Sequence, residues 1–250
     1  MMMRLLVSVR SVDEALVAAR GGADFIDLKQ PDGGALGGLP TATIAAIVAA
    51  LRAQGLTQPV SATIGDWPMS ARTEIARRVD AVGRCGVAIV KVGIDGCDVG
   101  SRAVLSMLAA GAWAVAPVFI ADRGLDLALV AHAAALGFAA VMADTADKQG
   151  GSLIERVPRE QLHAFVRTVR DRGVPVGLAG ALRAHHADVL ATLAPDFAGF
   201  RGAVCVHGER SGALDAQRLY QLRTALAQAQ GAIVGAGPSS SERMRASSAQ

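Results

Sequence analysis

The sequence predicts an α/β fold of the (β/α)8 TIM-barrel type, with eight parallel strands. Its length of 250 residues suits one complete barrel. Short apolar segments rich in β-branched residues alternate with longer amphipathic segments along the chain. Apolar residues make up 52% of the sequence and aromatic residues 4%. That balance is typical of parallel strands that are buried on both faces under small and branched side chains.

Eight strand segments and eight helix segments account for this alternation. The predicted strands span residues 4–9, 24–29, 60–64, 87–92, 113–119, 138–144, 174–179 and 197–201. The predicted helices span residues 11–20, 41–54, 70–84, 99–110, 125–136, 158–172, 183–193 and 215–229. Strict alternation implies a parallel sheet, and eight such units can close into a barrel. The alternative is an open, doubly wound sheet, which favours a glycine-rich turn after the first strand, where this chain has Ser8-Val9-Arg10-Ser11.

Local signals support the boundaries of these elements. Ser11 followed by Glu14 predicts a capping box at the start of the first helix. Glycines precede several strands, where helix C-caps are expected. We expect one barrel over residues 1–230. The segment 231–250 is rich in Gly, Ser and Ala without periodicity, so we expect a disordered tail.

Charge and hydropathy exclude several classes of protein. The net charge is +3, but the arginines are spread along the predicted helices without interleaved aromatic residues, so we expect no nucleic-acid partner. No apolar run approaches the roughly 18 residues that cross a bilayer, so we expect no membrane partner. The first residues are too short for a signal-peptide core, which predicts a cytoplasmic protein. The sequence leaves a homo-oligomer possible.

Only three of the 25 basic residues are lysines, namely Lys29, Lys91 and Lys148. Unlike Arg, Lys can lose its proton and become a nucleophile or a base. Lys29 and Lys91 are predicted to end strands two and four, and Lys148 follows strand six. Barrel active sites lie at these carboxyl ends. The alternative is that the chain favours Arg over Lys and that the three remaining lysines have no special role. Their shared placement favours a catalytic site instead.

Two aspartates follow the same pattern. Asp27 lies two residues before Lys29, so both side chains face the same side of the strand. Asp144 ends strand six, four residues before Lys148. A carboxylate beside a lysine can hold it, orient it and relay protons. The alternative is that these ion pairs only stabilise the fold. Several such pairs at one end of the barrel favour a catalytic site instead.

The last two strands end in glycine-containing loops that predict a phosphate site. Barrels often bind phosphate there, because glycine lets backbone N–H groups approach an anion. We therefore expect a small phosphosugar substrate bound by Gly180, Arg201, Gly202 and Ala203. The three cysteines lack metal-ligand spacing, and nothing in the sequence indicates a metal or an organic cofactor.

An ordered set of motifs runs through the chain. It comprises Asp27-Leu28-Lys29-Gln30-Pro31, Gly34-Ala35-Leu36-Gly37, Ser61-Ala62-Thr63-Ile64-Gly65-Asp66, Lys91-Val92-Gly93, Asp144-Thr145 with Lys148, Leu178-Ala179-Gly180 and Arg201-Gly202-Ala203. Together they resemble (5-formylfuran-3-yl)methyl phosphate synthase, the furan-forming enzyme family of methanofuran biosynthesis. The resemblance covers about residues 4–225 and rests on the order of the set rather than on one motif.

The resemblance implies a Schiff-base lyase that condenses two molecules of glyceraldehyde 3-phosphate. Phosphate and water are lost, and (5-formylfuran-3-yl)methyl phosphate is formed. It implies that Lys29 forms the Schiff base, that Lys91 accepts a proton, and that Asp27, Asp144 and Lys148 complete the polar site. A protonated imine is itself the electron sink, so no cofactor is implied. The Arg- and Ala-rich composition indicates a bacterial member of the methylotroph type.

Some loop residues depart from the family pattern. The family more often has Asn where Gln30 stands, a glutamate near Asp32-Gly33, and a Gly-Asp-Arg-like run where this chain has Gly208-Glu209-Arg210. These departures concern the mouth of the barrel and bear on substrate choice. Two alternatives to the furan synthase stay open: a class I aldolase acting on another sugar phosphate, and a non-catalytic barrel that binds a phosphosugar.

Overall fold

The predicted barrel is confirmed by the computed structural model of the protein, which describes residues 2–96, 99–147 and 150–235. Each strand pairs in parallel with its neighbour in the sequence, and β8 pairs with β1 to close the barrel. The strands are β1 (Arg4–Val9), β2 (Phe25–Leu28), β3 (Val60–Thr63), β4 (Ile89–Ile94), β5 (Val115–Ile120), β6 (Val141–Asp144), β7 (Val176–Leu178) and β8 (Phe197–Phe200).

At least one helix follows each strand, as the alternation predicts. They are α1 (Val12–Arg20), α2 (Thr41–Ala53), α3 (Arg72–Gly83), α4 (Val99–Ala109), α5 (Leu127–Ala135), α6 (Leu153–Arg156), α7 (Arg159–Arg170), α8 (Ala187–Leu193) and α9 (Ala216–Gly235). The short α6 is not predicted from the sequence, although Ser152 and Glu155 form a complete capping box at its start. The last helix continues to Gly235, so residues 231–235 are helical where the sequence predicts a tail.

Alternating side chains divide the apolar residues into two layers. Along β1, Leu5, Val7 and Val9 pack in the large cluster between the sheet and the helices. Leu6 belongs to a smaller cluster that also contains Ala116 and Ala140 and fills the inside of the barrel. No described helix is both long enough and apolar enough to pass through a membrane.

The depth of Lys91 differs from the prediction. The sequence places it at the end of the fourth strand, but β4 extends to Ile94 because Gly93 and Ile94 pair with Val118 and Phe119 of β5. Lys91 is therefore the third residue of β4. It lies inside the barrel rather than at its rim, and its side chain is 3% exposed.

The predicted capping box of α1 forms only in part. Ser11 accepts a hydrogen bond from the N–H of Glu14, as expected. The Glu14 carboxylate, however, accepts the N–H of Arg10 and forms an ion pair with Arg201, just past β8. The contact ties the end of β8 to the start of α1 across the seam where the barrel closes.

Candidate active site

One lysine–aspartate pair spans the mouth of the barrel. Lys29 directly follows β2 and Asp144 ends β6, so the two side chains meet from opposite sides. The Lys29 Nζ donates to Asp144 Oδ2 at 3.1 Å, and the two side chains are 9% and 4% exposed. The other carboxylate oxygen of Asp144 accepts the backbone N–H of Thr145 at 2.7 Å. Lys148, the third predicted lysine, lies outside the described residues.

A second lysine–aspartate pair lies deeper in the barrel. The Lys91 Nζ donates to Asp27 Oδ1 at 3.0 Å, and the carboxylate is 1% exposed. The Ser61 hydroxyl donates to Oδ1 of Asp27 at 2.7 Å, and the Ser8 hydroxyl donates to Oδ2 at 2.9 Å. Because side chains two residues apart on a strand point to the same face, Asp27 lies one step below Lys29.

The electrostatics of Asp27 reflect these neighbours. Burial alone raises the pKa of its carboxyl group, because a charged group is poorly solvated inside the barrel. The charges of Lys91 and Lys29, with the hydrogen bonds from Ser61 and Lys91, outweigh burial and hold the pKa of Asp27 below its ordinary value. Asp27 is therefore a carboxylate at neutral pH, and both lysines act on it.

A cavity of about 380 Å³ opens above the Lys29–Asp144 pair. Its wall includes Ser8, Gly180 and Gly202, so it joins the lysine to the loops after β7 and β8. Ala203 follows Gly202 in a 3-10 turn and is not part of this wall. The cavity brings together the groups expected around a substrate that carries both a carbonyl and a phosphate.

The two loop glycines are also required by the fold itself. Gly180 has a φ of 112°, a conformation that glycine favours, and an added Cβ would lie 2.9 Å from the Thr145 hydroxyl. A Cβ at Gly202 would lie 3.0 Å from the carbonyl oxygen of Gly208. A side chain at either position would disturb the loops, so a substitution there is a poor test of phosphate binding.

The predicted phosphate ligand Arg201 uses all its N–H donors within the protein. Its Nε donates to the carbonyl of Arg210 at 2.8 Å. Its Nη1 donates to the Ser8 carbonyl and to Glu14, and its Nη2 donates to Glu14 and to the Gly212 carbonyl. A guanidinium has five N–H donors, so none is left for a phosphate. Arg201 orders the loop after β8 instead.

Two other arginines on the cavity wall are not among the phosphate ligands predicted from the sequence. Arg183 follows β7 and donates to the Gly208 carbonyl at 2.7 Å. Arg210 is half-buried, and its guanidinium forms no hydrogen bond with any described residue. Burial lowers the pKa of Arg210, whereas the charges of Asp144 and Asp32 raise it. A partly desolvated guanidinium beside Gly202 is suited to receiving an anion.

Among the described residues, one group could present three metal ligands. Glu155, His185 and His186 bring their ligand atoms within 4.8 Å of one another, outside the mouth cavity. Two of the three residues already have local roles. The Glu155 carboxylate accepts the Ser152 N–H, and His186 Nδ1 accepts the Arg183 N–H. The group therefore orders α6 and the turn before α8.

Solved structures share this architecture. A phosphoribosyl anthranilate isomerase from Thermus thermophilus has a TM-score of 0.61 at 18% identity and covers 90% of this chain and 99% of its own. A 3-hexulose-6-phosphate synthase has a TM-score of 0.57 at 20% identity and covers 88% and 99%. At these identities the likeness shows the fold alone. The protein is thus a (β/α)8 barrel with a polar site at the carboxyl ends of its strands.

Sequence comparison identifies the family. The family model described as 4-HFC-P synthase matches residues 5–223. A chain from the methylotroph Methylorubrum extorquens, named provisionally as a (5-formylfuran-3-yl)methyl phosphate synthase, is 41% identical over 218 residues, 87% of this chain and 89% of that one. The (5-formylfuran-3-yl)methyl phosphate synthase of Methanopyrus kandleri is 35% identical over 238 residues, 90% and 99% of the two chains. The chain belongs to the 4-HFC-P synthase family and is an enzyme, as the sequence resemblance predicts.

Proposed function

We propose that this enzyme condenses two molecules of glyceraldehyde 3-phosphate to (5-formylfuran-3-yl)methyl phosphate by a Schiff base on Lys29, as a step in methanofuran-type cofactor biosynthesis. The observation that carries the proposal is the position of Lys29. It is a lysine on the wall of the mouth cavity, paired with Asp144 and adjacent to the glycine loops after β7 and β8. The family match supports the product named here.

The first substrate binds with its phosphate at the loops after β7 and β8. Arg210 and Arg183, together with backbone N–H groups near Gly180 and Gly202, form the phosphate-binding wall, because these cations border the same cavity as Lys29. This placement directs the carbonyl carbon of the triose toward Nζ of Lys29. Arg201 acts indirectly by fixing the loop that carries Arg210.

The chemical steps follow from an amine facing a carbonyl. Neutral Lys29 adds to the aldehyde, and loss of water gives an iminium ion. The iminium makes the adjacent C–H acidic, and loss of that proton gives an enamine that expels phosphate from C3. The resulting enol carbon C3 attacks C2 of the second triose, which reacts as its ketose isomer, and ring closure through the C1 oxygen of that triose with loss of two waters forms the furan. Hydrolysis of the imine then releases the furan aldehyde. The electrons stay within the substrate carbons throughout, so the sequence of steps requires no external oxidant or reductant.

Proton transfer runs through the deeper pair. Ser8 lines the mouth cavity and donates to Asp27, which accepts from Lys91. We assign proton acceptance to Lys91. Its ammonium first gives a proton, through Asp27 and Ser8, to the hydroxyl group that leaves as the iminium forms, and the neutral amine then accepts the C–H proton by the same route. Asp144 holds the Lys29 ammonium when it is charged and orients the amine when it is neutral.

The test is an incubation of the purified protein with glyceraldehyde 3-phosphate. The expected product is a furan aldehyde with a strong ultraviolet band and the mass of the phosphorylated furan. Borohydride added during turnover should reduce the imine and block tryptic cleavage after Lys29, so peptide 21–29 should be replaced by an adduct of 21–52. The three lysines lie in separate tryptic peptides, so the adduct position is unambiguous.

The same experiment separates the alternatives. A class I aldolase would show the trapped adduct but give a linear sugar phosphate without the furan band. A non-catalytic barrel would bind triose phosphate and give neither adduct nor product. An adduct on the peptide of Lys91 or Lys148 would refute the assignment of Lys29.

A replacement of Arg210 tests the phosphate assignment. Arg210→Met should raise KM for glyceraldehyde 3-phosphate by roughly 10- to 100-fold, because charge-assisted hydrogen bonds to the phosphate are lost. The change in kcat should be much smaller, and Arg210→Lys should recover part of the loss. Steady-state kinetics would measure the split. An unchanged KM in folded Arg210→Met would contradict the assignment.

A further inference from the structure

The barrel contains a second cavity at its N-terminal end, directly below the Lys91–Asp27 pair. Its volume is about 230 Å³. Small side chains create the space, since Ser61 and Ala116 contribute little volume where barrels usually place branched residues. Gly177 adds no further space, because the Phe197 ring lies 2.3 Å from the position that a Cβ on Gly177 would take. We call this space the floor cavity.

The floor cavity has a defined character. Its aromatic and aliphatic walls include Phe25, Ile89, Met142 and Phe197. Of the residues that the structure describes, two cations, Arg4 and Lys91, line it, and no carboxylate does. Lys91 is neutralised by Asp27, which leaves Arg4 as the cation without a counter-ion among the described residues.

Arg4 supplies an independent sign that something binds here. Its Nε atom is buried and has no hydrogen-bond partner, which is rare because an unsatisfied buried donor is costly. Its guanidinium lies 4.6 Å from the centre of the Phe25 ring, which holds it at the cavity. The natural complement of a positioned guanidinium is a carboxylate or a phosphate.

We propose that the floor cavity binds a small carboxylate that carries one flat ring, of the size of benzoate or furan-2-carboxylate. The carboxylate pairs with Arg4, and the ring packs between the aromatic and aliphatic walls. The volume lies below the usual range for drug-sized ligands, which limits the occupant to about one ring. The apolar walls disfavour a hydroxyl-rich sugar phosphate, so this site is distinct from the mouth cavity, and the proposal does not depend on the proposed function.

Calorimetric titration of the whole protein with benzoate and with furan-2-carboxylate tests the proposal. Benzamide and furan-2-carboxamide keep the ring and remove the charge, so they should bind at least tenfold more weakly. Arg4→Met should weaken carboxylate binding at least tenfold, and Arg4→Lys should retain part of it. Arg159→Met, at an exposed position of α7, is the matched control and should bind as the unaltered protein does. Ala116→Leu should abolish binding by filling the cavity.

Several outcomes would overturn it. Absence of saturable carboxylate binding, equal binding of the neutral amides, or unchanged binding in a folded Arg4→Met would each do so. Loss of carboxylate binding in folded Arg210→Met would place it in the mouth cavity instead. Retention of binding in Ala116→Leu, with a native circular dichroism spectrum, would exclude the floor cavity. Measurements of binding need no turnover, so they stand apart from any result on furan formation.

Discussion

The two lysine–aspartate pairs use the same residue types in different surroundings. Lys29 and Asp144 meet at the mouth, and the lysine lines the cavity beside the glycine loops. Lys91 and Asp27 meet inside the barrel, where Ser8 and Ser61 complete the hydrogen bonds of the carboxylate. Lys91 borders the floor cavity and not the mouth cavity.

The difference indicates that access, more than residue type, separates the expected roles. A nucleophile must reach a carbonyl carbon, which Lys29 can do from the cavity wall. A proton can travel along a chain of hydrogen bonds, so Lys91 needs only a link to the mouth, and the Asp27–Ser8 contact provides one. Substitution of Lys29 should therefore abolish the covalent adduct, whereas substitution of Lys91 should lower kcat and leave the adduct in place.

The largest effect is expected at Lys29. Lys29→Arg should abolish turnover and borohydride trapping, because a guanidinium stays protonated and is not a nucleophile. The charge facing Asp144 is retained, so the fold should survive. Trapping followed by peptide mass mapping and a thermal melt measures both properties. Lys91→Arg is the matched control, since it makes the same change in the deeper pair and should leave an adduct on Lys29. Turnover by folded Lys29→Arg would remove Lys29 from the chemistry.

The next effect is expected at Lys91. General acid–base groups typically contribute about 10²- to 10⁴-fold, so Lys91→Ala should lower kcat by about that factor. Trapping at Lys29 should persist, because the nucleophile is untouched. Ser8→Ala should give a smaller loss if the route to the mouth runs through Ser8. Full turnover in Lys91→Ala would exclude it as the base, and complete loss of trapping would place it in the Schiff-base step.

The fold and the lysine-bearing end of the barrel could be predicted because they depend on local patterns. Strand–helix alternation is a property of neighbouring residues, and Asp27 shares a face with Lys29 by a spacing of two. The depth of Lys91 could not be predicted, because it depends on how far β4 pairs with β5. The link from Ser8 has a weak sequence signal, since Ser8 is the one polar residue among the apolar residues that follow Arg4 in β1.

The phosphate-binding wall shows where sequence reasoning reached its limit. Arg201 follows a strand and precedes a glycine, so its position favours a ligand role. Its partner Glu14 lies 187 residues earlier in the chain, and only the closed barrel brings them together. The Gly208-Glu209-Arg210 run places Arg210 at the mouth, but its loop has no periodicity, so nothing local indicates that its side chain borders the cavity. Contacts between distant segments decide which arginine is available.

Stability should also differ between the pairs. Asp27→Asn leaves the Lys91 ammonium buried without its counter-charge, which typically costs about 3–5 kcal/mol. Asp144→Asn should cost less, roughly 1–3 kcal/mol, because Lys29 lines an open cavity and can recover water. Urea unfolding of the two variants beside the unaltered protein measures both free energies. A larger loss from Asp144→Asn would reverse our ranking of the two pairs by depth.

The smallest effect concerns the acid stability of the deeper pair. The pKa of Asp27 in the fold lies below its ordinary value of 3.8, because the two lysines and the Ser61 hydrogen bond outweigh burial. Its charged form therefore stabilises the fold above that ordinary pKa, and the contribution is lost as the pH falls through the lower, folded pKa. The other carboxyl groups titrate alike in the unaltered protein and in Asp27→Asn. The difference in unfolding free energy between the two should consequently be constant near neutral pH and shrink as the pH falls below about 4. Urea unfolding at a series of pH values measures this difference. A difference that grows toward acid pH would mean that Asp27 binds its proton more readily in the fold than in the unfolded chain, and the ionised Lys91–Asp27 pair on which the comparison rests would be wrong.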